Sequence, residues 1–217
     1  MYYETVKRAI DVVGALFLMI LFSPVMLLAS FFILITSPGP IFVEKDNKHM
    51  KRLGKNGKTF RLYKFRSMMV AADQLEETDP RYRQVYIEKR TKGNYKPTND
   101  PRITKVGKFI RKHSIDEMPQ LINVIKGEMS IVGPRAYLPD ELEDQQKRFK
   151  DTEKYVKEML TVKPGITGYW QVTGRSEVNF DKRIQMDAYY ARKRSLLFDI
   201  LIMLKTPWAM IYGKGAV

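Results

Sequence analysis

The longest apolar stretch of the chain lies near its N-terminus. Between Ala9 and Pro40 the only ionisable residue is Asp11. As a helix, residues 12–35 would be roughly 36 Å long, whereas the hydrocarbon core of a bilayer is ~30 Å thick. The stretch is too long for the core of a signal peptide and has no small-residue cleavage motif. The pattern therefore predicts a helix that is embedded in a membrane.

Two features bear on whether this helix crosses the membrane. The Ser23-Pro24 pair lies near its middle, where proline removes a helical hydrogen bond and favours a kink between two arms, each about one leaflet deep. Basic residues flank both ends: Lys7 and Arg8 precede the stretch, and four more follow it within residues 45–52. Such flanks favour the cytoplasmic side. A re-entrant hairpin and a kinked helix that crosses once are equal alternatives on these features.

Beyond the apolar stretch, the pattern alternates between short helical periods and loops. Glycines at positions 54 and 57 indicate a turn, and "TFRLYKF" after them alternates as a short strand does. The predicted fold class is helix-rich α+β with a small β element. Helices are predicted at residues 66–77, 81–90, 103–113, 120–126, 140–160 and 177–194.

The C-terminal segment "SLLFDILIMLKTPWAMIYGKG" is apolar around most of its circumference. Asp199 and Lys205 are exceptions, and Pro207 is predicted to break the helix. Because the segment is short for a crossing, it is predicted to lie in the membrane interface with Trp208 and Tyr212 at headgroup depth. A buried core helix is the alternative.

Composition narrows the chemistry. The 217-residue chain has no cysteine, which excludes disulfides, zinc-thiolate sites and thiol nucleophiles, and it has only two histidines. A formal net charge of +14 implies an anionic partner, and nucleic acid, an acidic membrane surface and phosphorylated substrates all qualify. The common phosphate-loop, dinucleotide-binding and zinc-protease motifs do not occur.

One acidic pair, Asp116-Glu117, follows a basic run. Ser114 and Glu117 have the spacing of a capping box, which would give the pair a structural role at a helix N-terminus. Alternatively, a carboxylate can bind Mg²⁺ or attack phosphorus, and cleavage of a pyrophosphate needs positive charge around the transferred group. The cations available for that role are Lys64, Arg66, Arg102, Lys108, Arg111, Lys112, Arg135 and Arg175.

The segment "DPRITKVGKFIRKHSIDEMPQLINVIKGEMSIVGPR" resembles the signature of the bacterial sugar transferase family, the monotopic phosphoglycosyl transferases. Further matches occur in family order and cover nearly the whole chain. They are Lys7-Arg8 with Asp11, Ser23-Pro24, "SPGP", "GKNGKTFRLYKFRSM" and "KPGITGYWQVTGR". Such ordered agreement is far more specific than any single motif.

The resemblance implies transfer of a sugar-1-phosphate from a UDP-sugar to polyprenyl (undecaprenyl) phosphate, with release of UMP and use of Mg²⁺ or, in its place, Mn²⁺. By similarity, Asp116 is the nucleophile that forms a covalent phosphosugar intermediate, and Glu117 is its partner in acid-base chemistry; both are expected metal ligands. Arg111 matches a phosphate-contacting arginine, and Pro134-Arg135 matches a nucleotide-binding motif. The other expected substrate-binding residues are Lys64, Arg66 and Arg175.

The resemblance also implies a location. Family members use the Ser-Pro break for a re-entrant helix, so residues 1–37 are predicted to form a hairpin. Residues 38–217 are predicted to form a catalytic domain on the cytoplasmic face of the bacterial inner membrane, with an interfacial C-terminal helix. The expected partners are the UDP-sugar, polyprenyl phosphate and phospholipids, without nucleic acid, and a homodimer is left open.

The C-terminal segment resembles that of members that transfer hexose-1-phosphate, glucose or galactose, as the first membrane step of exopolysaccharide, capsule or O-antigen assembly. Ala136 stands where the Pro-Arg motif usually has a second proline, which leaves the uridine contacts open. A rival from another class is a non-catalytic, membrane-tethered module that binds anionic lipid or nucleic acid. It explains the charge and the anchor but not the isolated Asp-Glu pair.

Overall fold

Helices predominate in the structure, a computed structural model that describes residues 2–44, 46–83, 100–173 and 178–212. The helices with both ends among the described residues are α1 (Tyr2–Thr36), α2 (Ala72–Thr78), α3 (Lys105–Lys112), α4 (Gln120–Lys126), α5 (Pro139–Arg148), α6 (Glu153–Met159), α7 (Tyr169–Thr173), α8 (Phe180–Lys193) and α9 (Leu196–Tyr212). The strands are β1 (Lys51–Leu53), β2 (Thr59–Arg61), β3 (Ser130–Val132) and β4 (Gly165–Thr167). The predicted helix-rich fold with little sheet is confirmed.

Helix α1 is the apolar helix predicted from the N-terminal pattern. Among the described residues it is the one helix that is long and apolar enough to cross a membrane, and only 11% of its most apolar window is buried. Helical structure continues through Pro24, so the predicted break does not appear as a gap in the helix. Since a proline inside a helix is compatible with a kink, the re-entrant hairpin stays a prediction.

The chain folds as two compact units, each built from separate stretches of sequence. The first unit comprises residues 1–22, 48–63 and 119–215, and the second comprises residues 23–47, 64–118 and 216–217. The predicted division between residues 37 and 38 refers to the membrane, and it stays a prediction.

Two short strand pairs shape the first unit. Strands β1 and β2 are antiparallel, and the turn between them contains Asn56 and Gly57, which have φ values of 57° and 72°. Positive φ is the conformation that Asn and Gly adopt most readily, so the predicted glycine turn is confirmed. Strands β3 and β4 pair in parallel with Ser130 opposite Gly165, a geometry that the intervening helices allow.

Two buried apolar clusters hold the first unit together. The larger consists of Ala15, Leu62, Leu121, Val124, Met129, Ile131, Val132, Val162, Tyr190, Ala191 and Ile202. The second consists of Tyr137, Leu142, Val156, Met159, Phe180 and Ile184. Burial of each large apolar side chain contributes about 1.5–3 kcal/mol. The clusters fix α4, α8 and the β3–β4 pair as one framework.

Three of the predicted helices are confirmed: α4 has the predicted ends, and α3 and α8 are slightly shorter than predicted. The helix predicted at residues 140–160 is wrong as a single element, since a 3-10 turn at Lys150–Thr152 separates α5 from α6. At this turn the Thr152 hydroxyl donates to the Phe149 carbonyl, and Phe149 packs against the second apolar cluster.

Two other helix ends also differ from prediction. The helix predicted at residues 66–77 begins only at Ala72, because Ala71 has a left-handed backbone with φ of 57°. The break predicted at Pro207 is wrong, since α9 continues through it. One proline removes a single hydrogen bond, which a long apolar helix tolerates. The helix predicted at residues 81–90 lies largely outside the described residues.

Candidate active site

The second unit places the "YKFRS" segment against the turn that carries the acidic pair. The Phe65 N–H donates to the Asp116 carbonyl at 3.0 Å, while on the other side Val43 donates to the Lys64 carbonyl at 3.0 Å. The Phe65 ring is buried with Ala29 and Ile33 in the apolar cluster of this unit. A buried ring between two sets of backbone hydrogen bonds fixes the register of the segment and therefore the position of Lys64.

The acidic pair lies in a 3-10 turn at Ile115–Glu117 that follows α3. Ser114 has a left-handed backbone with φ of 56°, which ends α3 and reverses the chain. The Ser114 side chain makes no capping hydrogen bond. The predicted capping box is therefore wrong, because its residues do not flank an α-helix N-terminus in the required conformation.

Lys64 binds both carboxylates of the pair. Its Nζ lies 2.8 Å from Asp116 Oδ2 and 3.3 Å from Glu117 Oε1. The exposed fractions of the side chains are 3% for Asp116, 18% for Lys64 and 36% for Glu117. The ammonium group thus lies at the edge of the site and covers a buried carboxylate, while the second carboxylate reaches solvent.

Arg111 adds a second cation to the site. It lies in the last turn of α3, and its Nε donates to the buried Ser67 hydroxyl at 2.8 Å. Burial lowers the pKa of Arg111, and the charge of Asp116 opposes that shift. An arginine keeps its charge even so. The structure thus brings Lys64 and Arg111 together with Asp116 and Glu117, as the sequence predicts.

Two other arginines of the second unit, Arg66 and Arg102, make structural contacts, and their predicted phosphate contacts stay predictions. Arg66 is buried, and its guanidinium donates to the Ser37 hydroxyl at 2.7 Å and to the carbonyls of Ser37, Pro38 and Pro40 at 2.6–2.9 Å. Arg102 is likewise buried; its Nε lies 2.8 Å from Asp100 Oδ1. Arg66 holds the "SPGP" loop, and Arg102 holds its own loop.

The predicted nucleotide-binding residues belong to the first unit. The Pro134 carbonyl accepts from Gly165 N–H at 2.8 Å, which ties the motif to β4. The Arg135 side chain is 25% exposed, and its Nη2 lies 3.4 Å from Glu141. Its guanidinium also lies over the Tyr137 ring, 5.4 Å from the centroid. Arg135 is therefore a held, partly accessible cation. Arg175 lies outside the described residues.

Two carboxylates beside Arg135 were not found from the sequence. Glu141 is buried in α5, and Asp187 is fully buried in α8, where its Oδ2 accepts from the Arg135 N–H at 3.4 Å. Burial raises the pKa of Asp187 well above its usual range. Glu141 lies in a strongly charged stretch with no local signal of its burial, whereas Asp187 falls at helical spacing from Phe180 and Ile184, which was a usable signal. Ser67 was also missed; it lies outside the helices and strands, and no sequence pattern singled it out.

Two of the residues predicted to belong to the membrane hairpin, Lys7 and Arg8, make contacts within the first unit. Lys7 donates to Asp199 at 2.9 Å, and Arg8 donates to the Val124 and Ile125 carbonyls at 2.5 and 2.7 Å, at the C-terminal end of α4. Ser23 and Pro24 are both exposed within α1. The two basic residues therefore also support the fold, whatever their role at the membrane.

Comparison with known proteins identifies the family. The sequence model described as "Bacterial sugar transferase" matches residues 2–213. An uncharacterized sugar transferase of Haemophilus influenzae is 42% identical over 218 residues, which cover 97% of this chain and 42% of that protein. The undecaprenyl-phosphate galactose phosphotransferase of Salmonella typhimurium is 40% identical over 214 residues, 97% of this chain and 41% of the relative.

A third relative has a length similar to that of this chain. The exopolysaccharide production protein ExoY of Sinorhizobium fredii is 40% identical over 213 residues, which cover 97% of this chain and 87% of ExoY. By contrast, the chain spans about two fifths of the length of the Haemophilus and Salmonella relatives. The match extends over almost all of the sequence described above, and the chain belongs to the bacterial sugar transferase family.

Proposed function

We propose that this protein transfers a sugar-1-phosphate from a UDP-sugar to polyprenyl phosphate and releases UMP. The name of the Salmonella relative specifies undecaprenyl phosphate and galactose, and that of the Sinorhizobium relative specifies exopolysaccharide production. The observation that carries the proposal is the site itself, where a buried Asp116 is paired with Lys64 beside Glu117 and Arg111. The non-catalytic binding module is not favoured, because it gives this cluster no role.

In the first step, an Asp116 carboxylate oxygen attacks the phosphorus that bears the sugar. A bond forms between that oxygen and phosphorus, and the bond from phosphorus to the bridging oxygen breaks. UMP leaves with the electron pair. In the second step, a phosphate oxygen of the polyprenyl phosphate attacks the same phosphorus, and Asp116 leaves as a carboxylate. Splitting the transfer in this way is the usual advantage of a covalent intermediate.

The ion-pair partner of Lys64 must change during these steps. The charge of Asp116 disappears when its oxygen is bonded to phosphorus, and the Lys64 ammonium then loses its partner. Glu117, 3.3 Å from the same Nζ, offers a second carboxylate. Movement of Lys64 towards Glu117 also uncovers Asp116, whose side chain is only 3% exposed. We therefore assign Glu117 the role of holding Lys64 while Asp116 is in its covalent form.

Arg111 is suited to stabilising the transferred phosphoryl group. Its Nε is held by Ser67, so the guanidinium is already oriented before substrate binds. Fixed positive charge near developing negative charge is typically the largest contribution to catalysis of such transfers. Arg135 belongs to the first unit, where Glu141 holds its guanidinium, and it is proposed to contact the nucleotide phosphate.

The acidic pair fits a bound Mg²⁺. No group of three metal-binding side chains occurs among the described residues, which does not favour a cage made of protein alone. Mg²⁺ is commonly held by one or two carboxylates together with substrate phosphates and water, and Asp116 and Glu117 supply oxygen ligands of that type. When bound, the ion would neutralise charge on the pyrophosphate. Lys64 would share the two carboxylates with it.

The site is proposed to act at the cytoplasmic face of the bacterial inner membrane. The mainly exposed apolar surface of α1 supports membrane association, and α9 is proposed to lie in the interface. Exposed apolar residues recur along α9 at helical spacing, at Leu197, Ile200, Leu201, Leu204 and Trp208. The re-entrant hairpin at Ser23-Pro24 belongs to this proposal, and so does a preference for hexose, glucose or galactose.

Analysis of the nucleotide product tests the proposed function. The purified protein is incubated with UDP-glucose or UDP-galactose, undecaprenyl phosphate and Mg²⁺. We expect UMP from the wild type and from Asp151→Asn, an exposed carboxylate that serves as the control, and none from Asp116→Asn. Release of UDP would indicate a glycosyltransferase that leaves the phosphate behind. Absence of any nucleotide product across a panel of UDP-sugars would refute the proposed transferase activity.

A further inference from the structure

A small polar cavity lies in the first unit, and none of the residues that line it is assigned to the proposed chemistry. Its volume is about 30 Å³, and it opens to solvent at its mouth. The first three turns of α1 form one wall, and the segments at Lys163 and Arg194 form others. Its charged lining residues are Glu4, Lys7, Arg8, Asp11, Lys163 and Arg194.

Three of the four cations in this cavity already have partners. Lys7 is paired with Asp199, and the Arg8 guanidinium donates to two carbonyls at the end of α4. Arg194 lies 3.2 Å from Glu4. Lys163 differs from them: within the described part of the chain it has no hydrogen-bond or ion-pair partner.

The surroundings of Lys163 are unfavourable for a cation. Its side chain is half-buried, and burial followed by the charge of Arg8 lowers its pKa. Asp11 opposes the shift, but its Oδ1 already accepts from the Ser130 hydroxyl and the Ile131 N–H, both at 3.0 Å. A partly buried charge without a close counter-ion destabilises a fold. An anion at the mouth of the cavity would remove this cost.

The position of the cavity indicates which anion reaches it. Exposed apolar side chains recur on α1 from Ile10 and Val13 onwards, beside the cavity residue Asp11, and on α9 from Leu197, after Arg194. Tyr2, at the start of α1, is also exposed. Two apolar helix faces therefore begin at the same end of this unit, beside the cavity. If these faces lie in lipid, the cavity mouth is at the depth of the phospholipid headgroups, where basic side chains meet anionic lipid.

We propose that this cavity binds the phosphate of an anionic membrane phospholipid, with Lys163 as its ion-pair partner. The site is independent of the proposed transfer reaction, since none of its residues is assigned to the chemistry. This ion pair would hold the N-terminal end of α1 at the lipid headgroups. It would add a specific contact to the general attraction between an anionic membrane and a chain with a net charge of +14.

The test measures thermal unfolding of the full chain in nanodiscs made of phosphatidylcholine, with increasing fractions of phosphatidylglycerol. We expect phosphatidylglycerol to raise the Tm of the wild type. Lys163→Met should bind phosphatidylglycerol about fivefold more weakly in this titration, the effect of one basic residue at an anionic surface. In pure phosphatidylcholine, Lys163→Met should be at least as stable as the wild type, because the repulsion from Arg8 is removed.

The controls distinguish binding at this cavity from the general electrostatic attraction of a basic protein to an anionic membrane. Lys157→Met removes the same charge from an exposed lysine that is paired with Glu153, and Lys163→Arg keeps the charge in place; both should respond like the wild type. An equal response of Lys163→Met and Lys157→Met overturns the proposal. So does a loss of stability in phosphatidylcholine with both Lys163→Met and Lys163→Gln. If inorganic phosphate raises the Tm equally in phosphatidylcholine nanodiscs, free phosphate is the ligand and the lipid proposal is wrong.

Discussion

Two buried aspartates, Asp199 and Asp116, have lysine partners but different surroundings. Asp199 is 5% exposed, and its carboxylate accepts hydrogen bonds from Lys7 at 2.9 Å, Tyr3 at 3.0 Å and Tyr190 at 2.7 Å. Asp116 is 2% exposed, and in the described part of the chain Lys64 is the one ion-pair or hydrogen-bond partner of its carboxylate. Both carboxylates are therefore buried, but they differ in the number of donors that they accept from.

This difference separates a structural carboxylate from a reactive one. A buried carboxylate whose two oxygens are both satisfied is stable and cannot easily approach a substrate. Asp116 depends on one flexible lysine, and that lysine has a second carboxylate within reach at Glu117. A single side-chain movement thus frees Asp116, whereas freeing Asp199 requires three hydrogen bonds to break. Burial alone does not exclude a role in the chemistry.

The largest expected effect is a contrast between the two aspartates. Asp116→Asn should lower the rate of UMP release by about 10⁴-fold or more, since the nucleophile is lost. The same variant should lose little stability, because Lys64 remains paired with Glu117. Asp199→Asn should lower the free energy of unfolding by about 3–5 kcal/mol, as for a broken buried ion pair. Chemical denaturation and product assays check both. Comparable losses of stability in the two variants would contradict the contrast.

Removal of the lysine of the active site is expected to have the next largest effect. Lys64→Met should lower kcat by about 10²–10³-fold, the range for loss of one oriented electrostatic contact. Lys58→Met, which removes an exposed lysine of the hairpin turn, is the control and should leave kcat unchanged. A Lys64→Met enzyme with normal kcat would show that the ion pair with Asp116 has no part in the reaction.

Glu117→Gln should have a smaller effect of about 10–100-fold, the cost of one hydrogen bond to a charged group. The physical reason is that Lys64 keeps Asp116 in the resting site but has no second carboxylate once Asp116 is bonded to phosphorus. Single-turnover measurements should therefore show a slower burst of UMP, with binding of the UDP-sugar little changed. A normal burst followed by slow turnover would place the role of Glu117 in the second step instead.

The smallest expected effect concerns the orientation of Arg135. Glu141→Gln should raise KM for the UDP-sugar about tenfold with a lesser change in kcat, because one charged contact of a binding residue is weakened. Glu143→Gln lies on the same helix, where Glu143 is exposed and paired with Lys147; it should match the wild type. Glu141→Asp should restore part of the affinity. Equal KM values in the two Gln variants would remove Glu141 from substrate binding.

The predictable part of the fold was the part decided by local sequence. Periodicity identified α3, α4 and α8, and glycine spacing identified the β1–β2 turn. Local patterns misled where tertiary packing decides the backbone: Ser114 and Glu117 have the spacing of a capping box, yet Ser114 is left-handed.

The candidate site was predictable in its members but not in their contacts. The acidic pair and the cations Lys64 and Arg111 follow from charge and motif, whereas their pairing depends on how the "YKFRS" segment lies against the turn. Arg66 belongs to the same motif but points to the "SPGP" loop. The burial of Glu141 is set by the apolar cluster around it, which no local pattern reveals, whereas the helical spacing of Asp187 from Phe180 and Ile184 was a local signal of its burial.

Intact-protein and peptide mass spectrometry gives the most direct test of a covalent role for Asp116. The wild-type protein is mixed with a UDP-hexose and Mg²⁺ in the absence of polyprenyl phosphate and then quenched. We predict one equivalent of UMP and a hexose-phosphate adduct on the peptide that contains Asp116, and addition of polyprenyl phosphate should discharge the adduct. An adduct on another residue, or UMP release only when polyprenyl phosphate is present, would contradict the account.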